Sequence, residues 1–169
     1  MARALLIGCG CSVRGAGRLL LERGWAVRGT SRATAGLEAI EAAGIEPAEA
    51  DPDRVGSLVE LIGDVTVVAW LLGSPEGGPG AARRLHLERL PSLLEKLVDT
   101  PVRGLVYEAQ PGFDAGTPDP GAALVTDAQQ RWRIPARIVA ADRSDPDLWA
   151  ATVADAVEGV VGLQSSGSG

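Results

Sequence analysis

A glycine-rich segment near the amino terminus has the residue types and spacing best suited to binding an anion. Residues 8–13 read GCGCSV and separate a short apolar run, predicted to be a strand over 4–8, from a predicted helix over 14–23. Gly8 permits a sharp turn out of the strand, and Gly10 leaves room for a pyrophosphate to approach backbone N–H groups. The helix amino terminus adds unpaired donors and a favourable dipole. The predicted pyrophosphate-binding residues are Gly8, Cys9, Gly10, Cys11, Ser12 and Val13.

The third position of the usual G-x-G-x-x-G pattern is Val13 rather than glycine. A valine there predicts either a helix lying farther from the strand or a different turn. Gly15 and Gly17 could supply the close approach instead, but they would then lie inside the helix. The alternative reading is a glycine turn that joins strand to helix and binds nothing.

The end of the second predicted strand indicates which dinucleotide would bind. An NAD site usually has Asp or Glu about 20 residues past the glycines, where it bonds the ribose 2′-hydroxyl. Here Gly29 is followed by Thr30, Ser31 and Arg32, without an acid. Arg32 can pair with a 2′-phosphate, and the two hydroxyls can donate hydrogen bonds to it. NADP is therefore favoured over NAD, the alternative being an arginine on an ordinary surface loop.

Strand and helix patterns alternate along the whole chain. The strands are predicted over 4–8, 25–29, 45–50, 65–72, 102–109 and 136–141, and the helices over 14–23, 34–43, 55–62, 81–98, 122–132 and 147–161. Pro91 should kink or split the fourth helix. This alternation predicts a doubly wound, three-layer α/β Rossmann fold with a parallel sheet of about six strands. We expect a single domain over 1–162 and a flexible tail over 163–169.

Composition excludes several classes of function. The 169 residues carry a net charge of −6, which disfavours binding to a nucleic acid backbone. No apolar run approaches the roughly 20 residues that span a bilayer, and no signal peptide is evident, so a cytoplasmic location without membrane contact is expected. Cys9 and Cys11 are too close in sequence and too few to predict a disulfide or a metal site.

The segment GCGCSV, followed by RGAGRLLLERGWAVRGTSR, resembles the amino-terminal half of atypical short-chain dehydrogenases/reductases. These include proteins described as NAD-dependent epimerase/dehydratase-like or NAD(P)-binding. The resemblance is specific over 1–72 and only topological beyond. It implies a Rossmann fold in which Asp51 bonds the adenine, while Leu71, Leu72 and Gly73 line the cofactor ribose.

The chain departs from that family at the catalytic residues. Catalytic members use Tyr-x-x-x-Lys on a helix after the fifth strand, with a serine nearby. Here the only tyrosine, Tyr107, lies within the fifth predicted strand, Pro111 stands four residues later, and the only lysine, Lys96, precedes the tyrosine. The standard catalytic unit is therefore absent, and no catalytic residue is assigned. The chain length also predicts that the substrate domain of extended family members is absent.

Other residues could contact a small-molecule substrate or effector. They lie in loops after the fourth and fifth strands, where ligands of open α/β sheets bind, and are Ser74, Glu76, Glu108, Gln110 and Asp114. Glu108 is the most favoured because it ends an apolar run. His86 is expected to be a partly buried structural residue. The four tryptophans are expected to anchor the core or an interface, at Trp25, Trp70, Trp132 and Trp149.

Three functions are compatible with these sequence features. The first is a non-catalytic or regulatory NADP(H)-binding protein, supported by the glycine turn and the missing catalytic pair. The second is an oxidoreductase or epimerase-like enzyme with Glu108 or Tyr107 as an unconventional acid/base. The third is a protein-interaction module that kept the fold but lost the cofactor, which Val13 supports and which a homodimer formed through the helical faces would suit.

Overall fold

The predicted strands form one parallel sheet of six strands, in the order β3-β2-β1-β4-β5-β6. The structure is a computed structural model that describes residues 2–72, 83–109 and 119–165. The strands are β1 (Arg3–Ile7), β2 (Ala26–Ser31), β3 (Glu46–Glu49), β4 (Val67–Trp70), β5 (Gly104–Glu108) and β6 (Ala136–Val139). The helices are α1 (Cys11–Glu22), α2 (Thr34–Ala42), α3 (Val55–Val59), α4 (Leu90–Leu97), α5 (Pro120–Trp132) and α6 (Pro146–Ser165). This strand order is that of the doubly wound Rossmann fold, which confirms the predicted fold class.

The central strands are apolar because helices cover both faces of the sheet. All residues of β4 and β5 are buried, whereas β3 and β6 stand at the two edges and are largely exposed. Successive residues of a strand face opposite sides. Leu6 therefore joins one core with Leu20 and Trp149, while Leu5 joins the other with Trp70.

Helix α1 begins at Cys11, three residues before the predicted start at 14. Val13 is consequently inside the first turn and fully buried in the core. The close approach between helix and sheet comes from Gly17, where a Cβ atom would lie 2.5 Å from Ile45 Cδ1 and 3.2 Å from Leu6 Cδ1. The missing third glycine of the motif is thus replaced by one farther along the helix.

Several other bounds differ from the predicted ones. Strand β2 continues to Ser31, which places Thr30 inside the strand, and α3 is shorter than predicted. Pro91 does not split its helix, because a π-helical turn over Leu85–Arg89 leads directly into α4. Helix α6 extends to Ser165, three residues past the expected domain end. Among the described helices, none has the length and apolar character needed to cross a bilayer.

Candidate functional site

A groove of about 380 Å³ opens at the carboxyl ends of β1, β2 and β4. This is where the strand order reverses direction, the place at which open α/β sheets bind their ligands. The predicted site residues that line it are Gly8, Cys9, Gly10, Thr30, Ser31, Arg32, Asp51, Leu71 and Leu72. Cys11, Ser12 and Val13 form the first turn of α1 beside it. Gly73 lies outside the described residues.

The turn between β1 and α1 requires glycine at its first position. Gly8 has φ +86°, a conformation that side-chain-bearing residues rarely adopt, and a Cβ there would lie 2.9 Å from the carbonyl oxygen of Leu71. Its N–H donates to Thr30 Oγ1 at 3.3 Å, and the N–H of Cys9 donates to the Thr30 carbonyl at 3.2 Å. Thr30 is only 2% exposed and fastens this turn to β2, a role that sequence reasoning did not predict.

Gly10 differs from Gly8 because the folded chain does not require glycine there. Its φ of −79° and ψ of −166° are open to other residues, and a Cβ would meet no atom of the described residues within 4 Å. Gly10 is the N-cap of α1, yet no side chain caps this helix and no acidic residue lies in its first turn. The helix therefore presents backbone N–H donors beside an open space at the groove.

The two cysteines of the turn have different environments, and both are free thiols. Cys9 is 4% exposed and packs over Gly29, where a Cβ would lie 2.7 Å from Cys9 Sγ. Burial raises the pKa of the Cys9 thiol to about 12, so it remains a protonated packing residue near neutral pH. Cys11 is exposed.

The segment after β2 places a cation at the edge of the groove. Ser31 Oγ accepts a hydrogen bond from Ala33 N at 3.2 Å and lies 3.3 Å from the Ala33 carbonyl, so this hydroxyl shapes the turn into α2. Arg32 is exposed and lines the groove. It makes no ion pair with any residue in the described ranges, which leaves its guanidinium group available to an anion.

The turn after β3, the strand next to β2, also lines the groove. Asp51 Oδ1 accepts from Asp53 N at 2.9 Å, and Asp53 is bound by Arg84 at 2.6 and 2.9 Å. The hydrogen bond from Arg84 and the further one from Arg89 lower the pKa of the Asp53 carboxyl. These ion pairs tie the turn after β3 to the helix that precedes α4. Sequence reasoning missed them because the partners are separated by 31 and 36 residues.

A buried ion pair lies at the carboxyl end of β5. Glu108 is 3% exposed, and Arg143 donates to its two carboxylate oxygens from Nε at 2.8 Å and from Nη2 at 2.6 Å. Trp149 Nε1 donates to Glu108 Oε2 at 2.9 Å, and the Arg143 guanidinium stacks 4.6 Å from the Trp149 ring centre. Arg143, rather than Glu108, lines the groove. Glu108 is thus engaged by its neighbours and does not itself line the groove.

Buried His86 and Tyr107 form a hydrogen-bonded cluster with the partly exposed Asp119. His86 Nε2 lies 2.9 Å from the Leu72 carbonyl, which can only accept, so Nε2 carries a proton. The Tyr107 hydroxyl lies 3.0 Å from His86 Nδ1 and 3.1 Å from Asp119 Oδ2. Burial, together with the nearby Asp119 charge, raises the pKa of Tyr107 far above its usual range. Burial also lowers the pKa of His86, which agrees with its predicted structural role.

The remaining predicted contacts cannot be placed. Ser74, Glu76, Gln110 and Asp114 lie outside the described residues. Within the described ranges, no group of three or more His, Cys, Asp or Glu side chains is arranged to hold a metal ion.

Solved structures resemble this chain in fold at low sequence identity. UDP-glucuronic acid 4-epimerase from Bacillus cereus, in complex with NAD, is 16% identical with a TM-score of 0.63. A short-chain dehydrogenase/reductase superfamily protein from Agrobacterium tumefaciens, with bound NAD, is 20% identical with a TM-score of 0.61. An anaerobillin reductase from Escherichia coli O157:H7 is 12% identical with a TM-score of 0.60. No protein-family model matches the chain, and no curated protein matches it in sequence.

The matched regions cover most of this chain but less of the other proteins. They include 80%, 80% and 81% of the chain, against 55%, 48% and 71% of the epimerase, the superfamily protein and the reductase respectively. The chain therefore spans about half the length of the first two. The fold it shares with them is the doubly wound Rossmann fold, as the sequence resemblance implied.

Proposed function

We propose that the groove binds NADP(H), with the pyrophosphate seated over Gly10 at the amino terminus of α1. The observation that carries this proposal is the contrast between Gly8 and Gly10. Gly8 is explained by the fold, whereas a Cβ at Gly10 would enter space that no residue in the described part of the chain fills. A pyrophosphate placed there would occupy that space and accept hydrogen bonds from the uncapped first turn of α1.

The other groove residues fit the remaining parts of such a cofactor. Asp51 lies after β3, where the resemblance places the adenine, and Leu71 and Leu72 lie after β4, where it places the cofactor ribose. Two of the similar solved structures hold NAD. In this chain, however, β2 ends at Ser31 and is followed by Arg32 rather than an acid; the Arg32 guanidinium pairs with no described residue, which favours a 2′-phosphate.

The proposed role is binding or regulation rather than turnover. A nicotinamide cofactor would supply hydride transfer, but an acid/base group must also reach the substrate. Glu108 is held by Arg143 and Trp149, and Tyr107 is completely buried with a raised pKa. Neither candidate therefore offers a free proton-transfer group at the groove.

Calorimetric titration with NADPH and, separately, with NADH tests the proposal. Arg32→Ala removes the cation at the groove edge, and Arg18→Ala is the matched control because Arg18 is exposed on α1 and does not line the groove. Hydrogen bonds to charged groups contribute about 1.5–3 kcal/mol, so NADPH should bind about tenfold or more tightly than NADH. Arg32→Ala should abolish that preference, and Arg18→Ala should keep it.

The possible results test dinucleotide binding and the preference for NADP separately. If the folded protein binds neither nucleotide, the dinucleotide proposal is wrong and an interaction module becomes the better account. If both nucleotides bind with equal affinity, the groove assignment stands but the NADP preference is wrong. Steady oxidation of NADPH by a small carbonyl compound would contradict the non-catalytic role.

A further inference from the structure

Arg143 brings a positive charge into the groove from the far side of the sheet. It lies in the connection between β6 and α6, and its Nη2 donates to the Leu71 carbonyl at 3.0 Å. The side chain therefore crosses the end of β5 and reaches the end of β4. This places the guanidinium at the part of the groove that lies opposite Arg32 and the end of β2.

The guanidinium group is held rigidly on one edge only. Its Nε and Nη2 atoms bind Glu108 and Leu71, and its face stacks on Trp149. Its Nη1 atom makes no hydrogen bond or ion pair with any residue in the described ranges. The Arg143 side chain is 26% exposed, compared with 3% for Glu108. The Nη1 atom thus belongs to Arg143, the more exposed residue of this ion pair.

The acidic side chains next to Arg143 in sequence are occupied elsewhere. Asp142 Oδ1 accepts from Ser144 N at 2.8 Å, and Asp145 Oδ1 accepts from Leu148 N at 3.2 Å. These contacts order the turn into α6 and leave Glu108 as the carboxylate that binds Arg143. A buried Glu–Arg pair is weak evidence for stability, since apolar residues often replace such pairs without loss. Its geometry is, however, well suited to fixing a guanidinium in one orientation at a site.

We infer that Arg143 binds an oxyanion of the ligand, either phosphate or carboxylate, at the β4 end of the groove. Glu108 and Trp149 are positioning residues that hold the guanidinium plane while its Nη1 edge donates to the ligand. This inference rests on the proposed function, because the oxyanion would bind in the same groove. Two sources have this chemistry: the pyrophosphate of the cofactor, and an acidic group on a second small molecule bound beside the nicotinamide.

The test compares two substitutions with opposite expected effects. Glu108→Gln removes the negative charge that competes for Arg143 but keeps a hydrogen-bonding side chain of the same size. It should make oxyanion binding tighter, because a carboxylate then no longer neutralises the guanidinium. The double variant Glu108→Gln with Arg143→Met removes the guanidinium without leaving a buried, unpaired carboxylate, so it should still fold. It should bind about tenfold more weakly, the size expected for one charge-assisted hydrogen bond.

Calorimetry on the full chain measures two probes, NADPH alone and then inorganic phosphate added to the NADPH-saturated protein. Weaker NADPH binding by the double variant identifies the cofactor pyrophosphate as the oxyanion. Unchanged NADPH binding with loss of phosphate binding identifies a second ligand. Arg18→Gln, which removes a charge outside the groove, should change neither.

Results that overturn the inference differ from those that overturn the proposed function. If Glu108→Gln and the folded double variant both bind both probes as the unmodified protein does, Arg143 is not a ligand-binding residue. Equal weakening by both variants would instead assign the pair a structural role. If the unmodified protein binds no NADPH, the proposed function is wrong, and phosphate binding to the nucleotide-free protein then tests Arg143 alone.

Discussion

Replacing Gly10 by alanine should separate ligand binding from stability. Gly10 has φ −79° and ψ −166°, which alanine adopts without strain, and among the described residues the added methyl group would meet no atom within 4 Å. The substitution therefore adds one carbon atom to the groove and leaves the surrounding chain unchanged.

The expected change in the free energy of unfolding is small because two effects oppose each other. Replacing glycine by alanine at an unstrained position stabilises a protein by about 0.4–1 kcal/mol, through the lower entropy of the unfolded chain. Alanine is, however, a poorer N-cap than glycine, at a cost of about the same size. The net change in unfolding free energy should therefore lie within about 1 kcal/mol of zero.

The effect on binding should be much larger. A methyl group on Gly10 would stand between the ligand and the first-turn N–H groups of α1, where a pyrophosphate needs close approach. Each hydrogen bond to a charged group contributes about 1.5–3 kcal/mol, so losing one weakens NADPH binding about 10- to 100-fold.

Urea unfolding followed by tryptophan fluorescence measures the first effect, and calorimetric titration with NADPH measures the second. Gly63→Ala is the matched control, because a Cβ at this exposed glycine would also meet nothing within 4 Å and Gly63 does not line the groove. Unchanged NADPH affinity in a folded Gly10→Ala variant would refute the argument that Gly10 is reserved for a ligand. A large loss of stability would refute the claim that the fold does not need glycine there.

Three further predictions concern the same region. Gly8→Ala should lower the free energy of unfolding by about 2 kcal/mol or more in urea, because of its φ of +86° and the contact with the Leu71 carbonyl, and an unchanged urea midpoint would contradict this. Burial lowers the pKa of His86 in the folded protein from its ordinary 6.5, so the unfolded chain takes up this proton first as the pH falls. The free energy of unfolding should therefore keep its full value above about pH 7 and decline below pH 6.5. His86 is the only histidine, and a chain with His86→Gln should lose this part of the decline. A thiol reagent at neutral pH should label exposed Cys11 but spare buried Cys9 until urea unfolds the chain, and equal labelling rates in the folded protein would contradict the packing of Cys9.

The strands could be predicted from sequence because a doubly covered parallel sheet leaves a strong local signal. The apolar runs around β1, β4 and β5 reflect burial on both faces, and the glycines at 24 and 44 mark helix ends. The position of the groove could be predicted from the same pattern, because parallel strands bring their carboxyl ends to one edge of the sheet. Gly8 and Gly10 therefore line one cavity together with Arg32, which is distant from them in sequence.

The long-range polar partners could not be predicted, because nothing local specifies them. Glu108 was singled out as a ligand contact or acid/base, but its partner Arg143 is 35 residues away and its second donor, Trp149, is 41 residues away. Thr30 was expected to face a ligand, and only the register of β2 beside β1 shows that its side chain holds Gly8. The helix start at Cys11 was missed because Gly10 serves as an N-cap without a capping side chain. Cytoplasmic location and a homodimer stay predictions from the sequence.

Nuclear magnetic resonance of the ¹⁵N-labelled protein during titration with NADPH tests the central claim most directly, because it locates the ligand as well as detecting it. Binding in the groove predicts that the largest amide shifts fall on residues 8–14 and 30–33, with smaller shifts near Leu71 and Arg143. Amides of α5, which does not line the groove, should move little. A folded protein whose amides do not respond, or whose shifts cluster away from the glycine turn, would contradict the claim that this groove is a dinucleotide site.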